Sequence, residues 1–199
     1  MKIGILGGSF DPPHIGHIYI CIQAKEQLNL DAVWLMPCGK HPFLKDLSPA
    51  KHRLAMLKSI DNAQIKISEL ETQKENFSYT IETLTELSKD KKNDYHWIIG
   101  SDQLVNFHKW KDWKKIIEDY NLIIAPRGNG IQSLHEMVKK YFDIKNIPPN
   151  ITVLDSTNLF INNLSSQFIR NRVQLQKSIR YLVPPNVEGY ILKNKLYEK

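Results

Sequence analysis

Gly7-Gly8-Ser9-Phe10-Asp11-Pro12-Pro13-His14-Ile15-Gly16-His17, directly after Lys2-Ile3-Gly4-Ile5-Leu6, is the stretch that decides the fold of this 199-residue chain. The apolar run at the N-terminus reads as a buried parallel strand. Two glycines break it, two prolines shape a turn, and the apolar-rich segment Ile15–Leu28 reads as a helix. Three residues apart, His14 and His17 are expected on one face of that helix's first turn. A helix start offers unpaired N–H groups and the positive end of the macrodipole, which suits a phosphate. Gly7 and Gly8 let backbone approach such an anion, and imidazoles donate hydrogen bonds to its oxygens.

Further along, short apolar runs alternate with amphipathic stretches, the pattern of a parallel sheet flanked by helices. Strands are expected at Ile3–Leu6, Ala32–Met36, Ile65–Ser68, His96–Ile99, Leu122–Ala125 and Ile151–Leu154. Helical patterns fall at Ile15–Leu28, Ala50–Ser59, Thr80–Ser88, Trp113–Asp119 and Gln132–Tyr141. Ser48-Pro49 reads as a capping side chain followed by proline at the first helical position. The expected class is α/β: a doubly wound, Rossmann-like parallel sheet with helices on both faces and its site at the carboxyl ends of the strands. Near Asn158–Leu164 the alternation gives way to two short helical patterns, Ser166–Leu175 and Pro185–Leu196. One domain is expected, with residues 1–160 as the nucleotide-binding core and 161–199 as a small helical lobe packed on it.

Composition narrows the class. Apolar and charged fractions of 42% and 24% are those of a globular protein. No run approaches the roughly 18–20 apolar residues of a membrane span, and the single lysine leading straight into the glycine turn is not expected to be a secretion signal. Cys21 and Cys38 make no disulfide framework, which suits the cytoplasm. The formal charge of +6 favours anionic partners, and from Arg170 onward seven basic residues face two acidic ones. Such a tail suits nucleic acid and small phosphates equally well, so charge alone does not choose.

Motif spacing does choose. A P-loop requires Gly-Lys-Ser/Thr after four spacer residues, which this chain lacks. Gly4, Gly7 and Gly8 miss the Gly-x-Gly-x-x-Gly of a dinucleotide fingerprint. What remains is His14-Ile15-Gly16-His17, which resembles the signature of class I aminoacyl-tRNA synthetases and the smaller nucleotidyltransferases that share their fold. A synthetase is disfavoured by the short chain and by the absence of a Lys-Met-Ser-Lys-Ser loop. Four motifs then recur in one order: the opening loop; Tyr79-Thr80 with Thr83-Leu84; Ile99-Gly100-Ser101-Asp102-Gln103-Leu104 with Trp110; and Ser165-Ser166-Gln167-Phe168-Ile169-Arg170. Together they resemble the bacterial nicotinate mononucleotide adenylyltransferases, and the likeness runs through Arg180-Tyr181-Leu182-Val183-Pro184.

That resemblance implies adenylyl transfer from ATP, with Mg2+, to nicotinate mononucleotide. The products are nicotinate adenine dinucleotide and pyrophosphate, a step of NAD biosynthesis. The partners are then these small molecules, with no nucleic acid and no membrane. The chemistry suits the residue types. A nucleotide 5′-phosphate, with a second pKa of about 6, is already a nucleophile and requires no general base. The reaction calls for in-line positioning and neutralisation of charge on the α-phosphate and departing pyrophosphate.

Site residues follow in the same way. His14, His17 and Arg170 are the expected catalytic groups, and Gly7, Gly8, Ser9 and Phe10 form the phosphate loop. Ser165 and Ser166 are placed to cap a late helix and touch phosphate; Gln167 stands where the family has threonine. The family's proline-rich loop ends in a phosphate-meeting lysine. Lys40 and Lys45 both qualify here, with a slight preference for Lys45. Asp102 is expected on the adenosine side, at the ribose or a magnesium ion. Tyr79 and Thr80 correspond to the backbone that meets the pyridine's carboxylate, and Trp110 to the stacking aromatic, leaving Trp113 to the core. No protein-held metal is expected. Cys38 and His41 with His14 and His17 have zinc-like spacing, but the glycine turn accounts for the histidines better. The rival functions are a nicotinamide mononucleotide-preferring relative, a pantetheine-phosphate adenylyltransferase, and a nucleotide-binding module without turnover.

Overall fold

The computed structural model describes residues 1–43, 46–60, 64–74, 76–127, 133–155 and 163–198. Six strands, β1 (Lys2–Gly8), β2 (Ala32–Pro37), β3 (Ile65–Ile67), β4 (Asp94–Gly100), β5 (Asn121–Ala125) and β6 (Ile151–Val153), form one parallel sheet in the order β3-β2-β1-β4-β5-β6. The helices are α1 (Ile15–Leu28), α2 (Ala50–Lys58), α3 (Thr80–Leu87), α4 (Trp113–Asp119), α5 (Leu134–Phe142), α6 (Ser166–Gln174) and α7 (Pro185–Lys193). The doubly wound sheet is as expected, and every expected strand is present.

Alternation along the strands explains why both faces are covered. On β5, Leu122 and Ile124 enter one core while Ile123 and Ala125 enter the other. On β4, Trp97 and Ile99 face the first core and Ile98 the second. Buried side chains of α3, α4 and α5 close the first core, and those of α1 close the second. Each fully buried Leu or Ile contributes about 1.5–3 kcal/mol of apolar burial, so these positions dictate which face each strand presents. A third cluster joins Met56 of α2 to Ile169 of α6 and Val187 and Ile191 of α7, with Ile179 and Val183 between them. It fastens the C-terminal helices to α2.

Three local expectations shift. Ser48 does not cap α2: the helix begins at Ala50 with Pro49 as its first flanking residue. The Ser48 backbone N–H instead donates to Asp11 Oδ2 at 2.9 Å, and its carbonyl accepts from Arg53 Nε at 3.0 Å. The helix expected from Gln132 runs over Leu134–Phe142, Gln132 itself lying outside the described residues. A 3-10 helix, Ser101–Lys109, follows β4 where no element was expected. Its buried residues Ser101, Leu104 and Phe107 recur every three positions, the 3-10 period.

Order 3-2-1-4-5-6 places the reversal of winding between β1 and β4, the crevice where ligands bind in open α/β sheets. The opening loop, Gly100 and the 3-10 helix all emerge there.

Candidate active site

A cavity of about 950 Å³ opens at this switch point. The β1 end supplies Gly7, Gly8, Ser9 and Phe10, α1 supplies His17, and the β4 end supplies Gly100 and Asp102. Tyr79, Thr80 and Trp110 line it from the α3 side, and Ser166 and Arg170 from α6. Its size is near the top of the ~300–1,000 Å³ range for small-molecule sites, enough for a dinucleotide.

The opening loop is shaped by what it must avoid. A Cβ on Gly7 would lie 2.3 Å from the Trp97 ring, so only glycine lets β1 pass that side chain. Phe10 turns inward with φ of 49° and packs edge-on to His17, centroids 4.8 Å apart. His14 does not lie within the first turn of α1. It is the N-cap, with extended backbone, and His17 is the third helical residue. The His14 backbone N–H donates to His17 Nδ1 at 3.2 Å, and the two rings stack at 3.6 Å.

Protonation follows from this geometry. Burial, aided by the Arg127 charge, pushes the His14 pKa down to about 3. Burial also holds His17 well below the ordinary histidine range, with His14 and then Arg127 adding to the effect. Both rings are therefore neutral at pH 7. Because His17 Nδ1 accepts, its single proton resides on Nε2, making His17 a dipolar N–H donor at the cavity wall. Among the described residues His14, 1% exposed, has no hydrogen-bond partner on either ring nitrogen, and it is not on the wall.

Contacts from distant segments hold the loop in place. Arg53, 2% exposed, donates through Nη1 to the carbonyls of Ser9 (3.0 Å) and Cys38 (2.8 Å), and through Nη2 to Gly39 (3.1 Å). With its bond to Ser48, one guanidinium thus ties the β1 loop, the β2 loop and the start of α2. Arg170 Nη1 donates to the Asp11 carbonyl at 2.6 Å, and Ser166 Oγ to the Pro12 carbonyl at 2.8 Å. Tyr197 donates its hydroxyl to Asp11 Oδ1 at 2.7 Å. Gln167 accepts from Arg170 Nη2 and donates to Asn171 Oδ1, so it braces the arginine where the family carries a hydroxyl. Ser165 caps α6 by accepting from the Phe168 N–H at 3.2 Å and is absent from the wall.

Across the cavity, Asp102 approaches Gly100 so closely that a Cβ there would lie 2.5 Å from its Oδ1. Arg127 pairs with Asp102 at 3.6 Å and donates to the Leu164 carbonyl at 2.9 Å. Trp110 packs on Phe107, centroids 4.7 Å apart, while Trp113 packs against the first core away from the wall. Tyr79 is the N-cap of α3, whose first N–H groups point toward this end. Below it, burial raises the Glu71 pKa although the Thr83 hydroxyl donates to its carboxylate at 2.7 Å.

Lys40 is exposed, bridged through its backbone to Phe77, and off the wall; Lys45 lies outside the described residues. Among the described residues no three His, Cys, Asp or Glu side chains are grouped to hold a metal ion. Arg53, Arg127 and Glu71 escaped the sequence reading. Arg127 had the one available signal, a cation two residues beyond the end of β5.

The likeness to known proteins covers the whole chain. The cytidylyltransferase-like family model matches residues 5–172. A relative from Synechococcus sp. (strain JA-3-3Ab), named probable nicotinate-nucleotide adenylyltransferase, is 38% identical over 98% of this chain and 94% of its own length. One of the same name from Dictyoglomus turgidum is 36% identical over 99% and 96%. The solved Plasmodium falciparum nicotinic acid mononucleotide adenylyltransferase complexed with NaAD shares the fold, with a TM-score of 0.83 and 22% identity over 98% of this chain and 97% of that one. This chain accordingly belongs to the cytidylyltransferase-like family and, within it, to the nicotinate-nucleotide adenylyltransferases.

Proposed function

We propose that this protein transfers the adenylyl group of ATP to nicotinate mononucleotide, forming nicotinate adenine dinucleotide and pyrophosphate. An oxygen of the acceptor's 5′-phosphate attacks the α-phosphorus. The bond from that phosphorus to the oxygen bridging to the β-phosphate breaks in line, and pyrophosphate carries the electron pair away. No proton is removed, because the attacking phosphate is largely dianionic at neutral pH. Magnesium would enter with ATP as part of the substrate and would neutralise charge on its phosphates.

The protein's part is positioning and charge compensation. His17 donates Nε2–H to the phosphates, and His14, stacked behind it, serves catalysis by holding that ring in place. Arg170 and Arg127 supply fixed positive charge for the developing pyrophosphate, with Gly7, Gly8, Ser9 and Phe10 bringing backbone to the triphosphate. Ser166 takes part through its link to Pro12, and Ser165 by capping α6. Asp102 meets the ribose. Trp110 stacks on the pyridine, and the backbone at Tyr79 and Thr80 receives the ring carboxylate. A lysine of the loop after β2, Lys45 or Lys40, serves as a further phosphate contact. Residues 1–160 and the lobe 161–199 act as one unit, since α6 contributes Arg170 and grips the opening loop. Among the described residues no helix is long and apolar enough to cross a membrane; with neither Cys21 nor Cys38 in a disulfide, we place the reaction in the cytoplasm.

The observation that carries this reading is one cavity bounded by a neutral histidine donor, two arginines and, at its other end, a tryptophan beside a helix start. The test is pyrophosphate release from ATP and magnesium with nicotinate mononucleotide, nicotinamide mononucleotide or phosphopantetheine. Release with the first is expected. No release with any of the three would overturn the enzymatic reading, and release with phosphopantetheine alone would overturn the acceptor.

A further inference from the structure

Trp110 is bracketed by Lys109 and Lys111, and all three line the cavity. Lys111 Nζ stands 4.8 Å from the centroid of the Tyr79 ring and 2.8 Å from Glu82 Oε1 in the first turn of α3. Lys109 forms no ion pair among the described residues. Three acids bear on this end: Glu82, Glu71 and Asp112, the last beside Lys111. Glu82 is engaged by Lys111, and the buried Glu71 carboxylate receives the Thr83 hydroxyl. The α3 N-terminus adds further positive potential beside Tyr79. Lys109 is therefore the uncommitted cation at the Trp110 end of the cavity.

We propose that Lys109 and Lys111 form a cationic collar that selects an acceptor whose pyridine ring bears a carboxylate over the same acceptor bearing a carboxamide. This rests on the reading of the Trp110 end as the pyridine subsite. The two acceptors have nearly the same shape, so stacking on Trp110 treats them alike. They differ by one full negative charge, which a tryptophan face cannot read and a pair of ammonium groups can. Lys111 shares its charge with Glu82, so Lys109 carries the larger part. Both lysines are exposed, which limits the effect of each and makes it sensitive to salt.

The test measures kcat/KM for nicotinate mononucleotide and nicotinamide mononucleotide in the wild type, Lys109→Met, Lys111→Met and the double variant. The acid-to-amide ratio is expected to fall about tenfold in the double variant, through KM for the acid, with Lys109→Met contributing most. Lys109→Arg is expected to keep the ratio, and raising salt to lower it in the wild type. A ratio unmoved in the double variant, or parallel loss with both acceptors, would overturn the collar while leaving the adenylyl-transfer reading intact. A wild-type protein that turns over neither acceptor would overturn that underlying reading itself.

Discussion

The two ends of the cavity are built on opposite principles. At the phosphate end the polar groups are buried: Asp11 and Arg53, each 2% exposed, bond to backbone, and His14, 1% exposed, stacks on His17. The partners of Asp11 and Arg53 come from the loops after β1 and β2, the approach to α2, α6 and Tyr197 near the C-terminus. At the pyridine end the charged groups, Lys109 and Lys111, are exposed side chains on long flexible stems around one half-buried tryptophan. The contrast teaches where precision is demanded. Charge developing on the α-phosphate oxygens and the departing pyrophosphate calls for donors fixed before reaction, because reorganisation would raise the barrier. A ring that only has to be held and told from its amide tolerates a looser surround.

The contrast can be broken at its strongest point first. His17→Ala is expected to lower kcat by about 10²–10³ in a protein that still folds, since loss of one preorganised donor costs about 2.7–4 kcal/mol in a well-studied case. Steady-state pyrophosphate release checks it; ordinary turnover in a folded variant would remove His17 from the phosphate site. Next comes Arg53→Met, which leaves the carbonyls of Ser9, Cys38, Gly39 and Ser48 without their donor. A loss on the order of 3 kcal/mol in urea denaturation is expected, together with reduced turnover. If stability held, the opening loop would not depend on this anchor.

At the looser end, Trp110→Ala is expected to raise KM for the pyridine nucleotide about tenfold, as loss of aromatic–base stacking does, with KM for ATP little changed. Equal changes in both constants would mean that the tryptophan only supports Phe107. Smallest per step is the pH effect. Between pH 6.5 and about 3 the unfolded chain protonates His14 while the native state does not, so stability falls as pH falls, by up to about 1.4 kcal/mol per unit. Urea midpoints at pH 7 and 5.5 in the wild type and in His14→Phe would show it as a steeper slope in the wild type. Matching slopes would contradict a native histidine buried in its neutral form.

Much of this was legible in the chain because it is written locally. Strand alternation, helix periodicity and the glycine break after Leu6 each depend on neighbours in sequence, and they located β1 to β6 closely. The 3-10 helix was not legible, because a three-residue spacing of Leu104 and Phe107 fits a short α-helix or a loop equally well. The site divides the same way. His17, Asp102, Trp110 and Arg170 lie in motifs, and the structure brings all four to one cavity. Arg53 could not be read, since its partners lie 5 to 44 positions away and are carbonyl groups that every residue possesses. His14 illustrates a finer limit: spacing put it beside His17, but only the fold places it behind that ring as an N-cap. Gln167 differs from the family's threonine in sequence, and only the structure reveals that it braces Arg170.

The claim beneath all of this is that the phosphate end works through a neutral, fixed imidazole donor, neither a cation nor a base. Nitrogen-resolved NMR of ¹⁵N-histidine-labelled protein, titrated from pH 8 to pH 5.5, tests it most directly. The expected result is a neutral His17 carrying its proton on Nε2, with Nδ1 unprotonated, across the whole range. An imidazolium at His17 at pH 7, or a proton on Nδ1, would contradict the account.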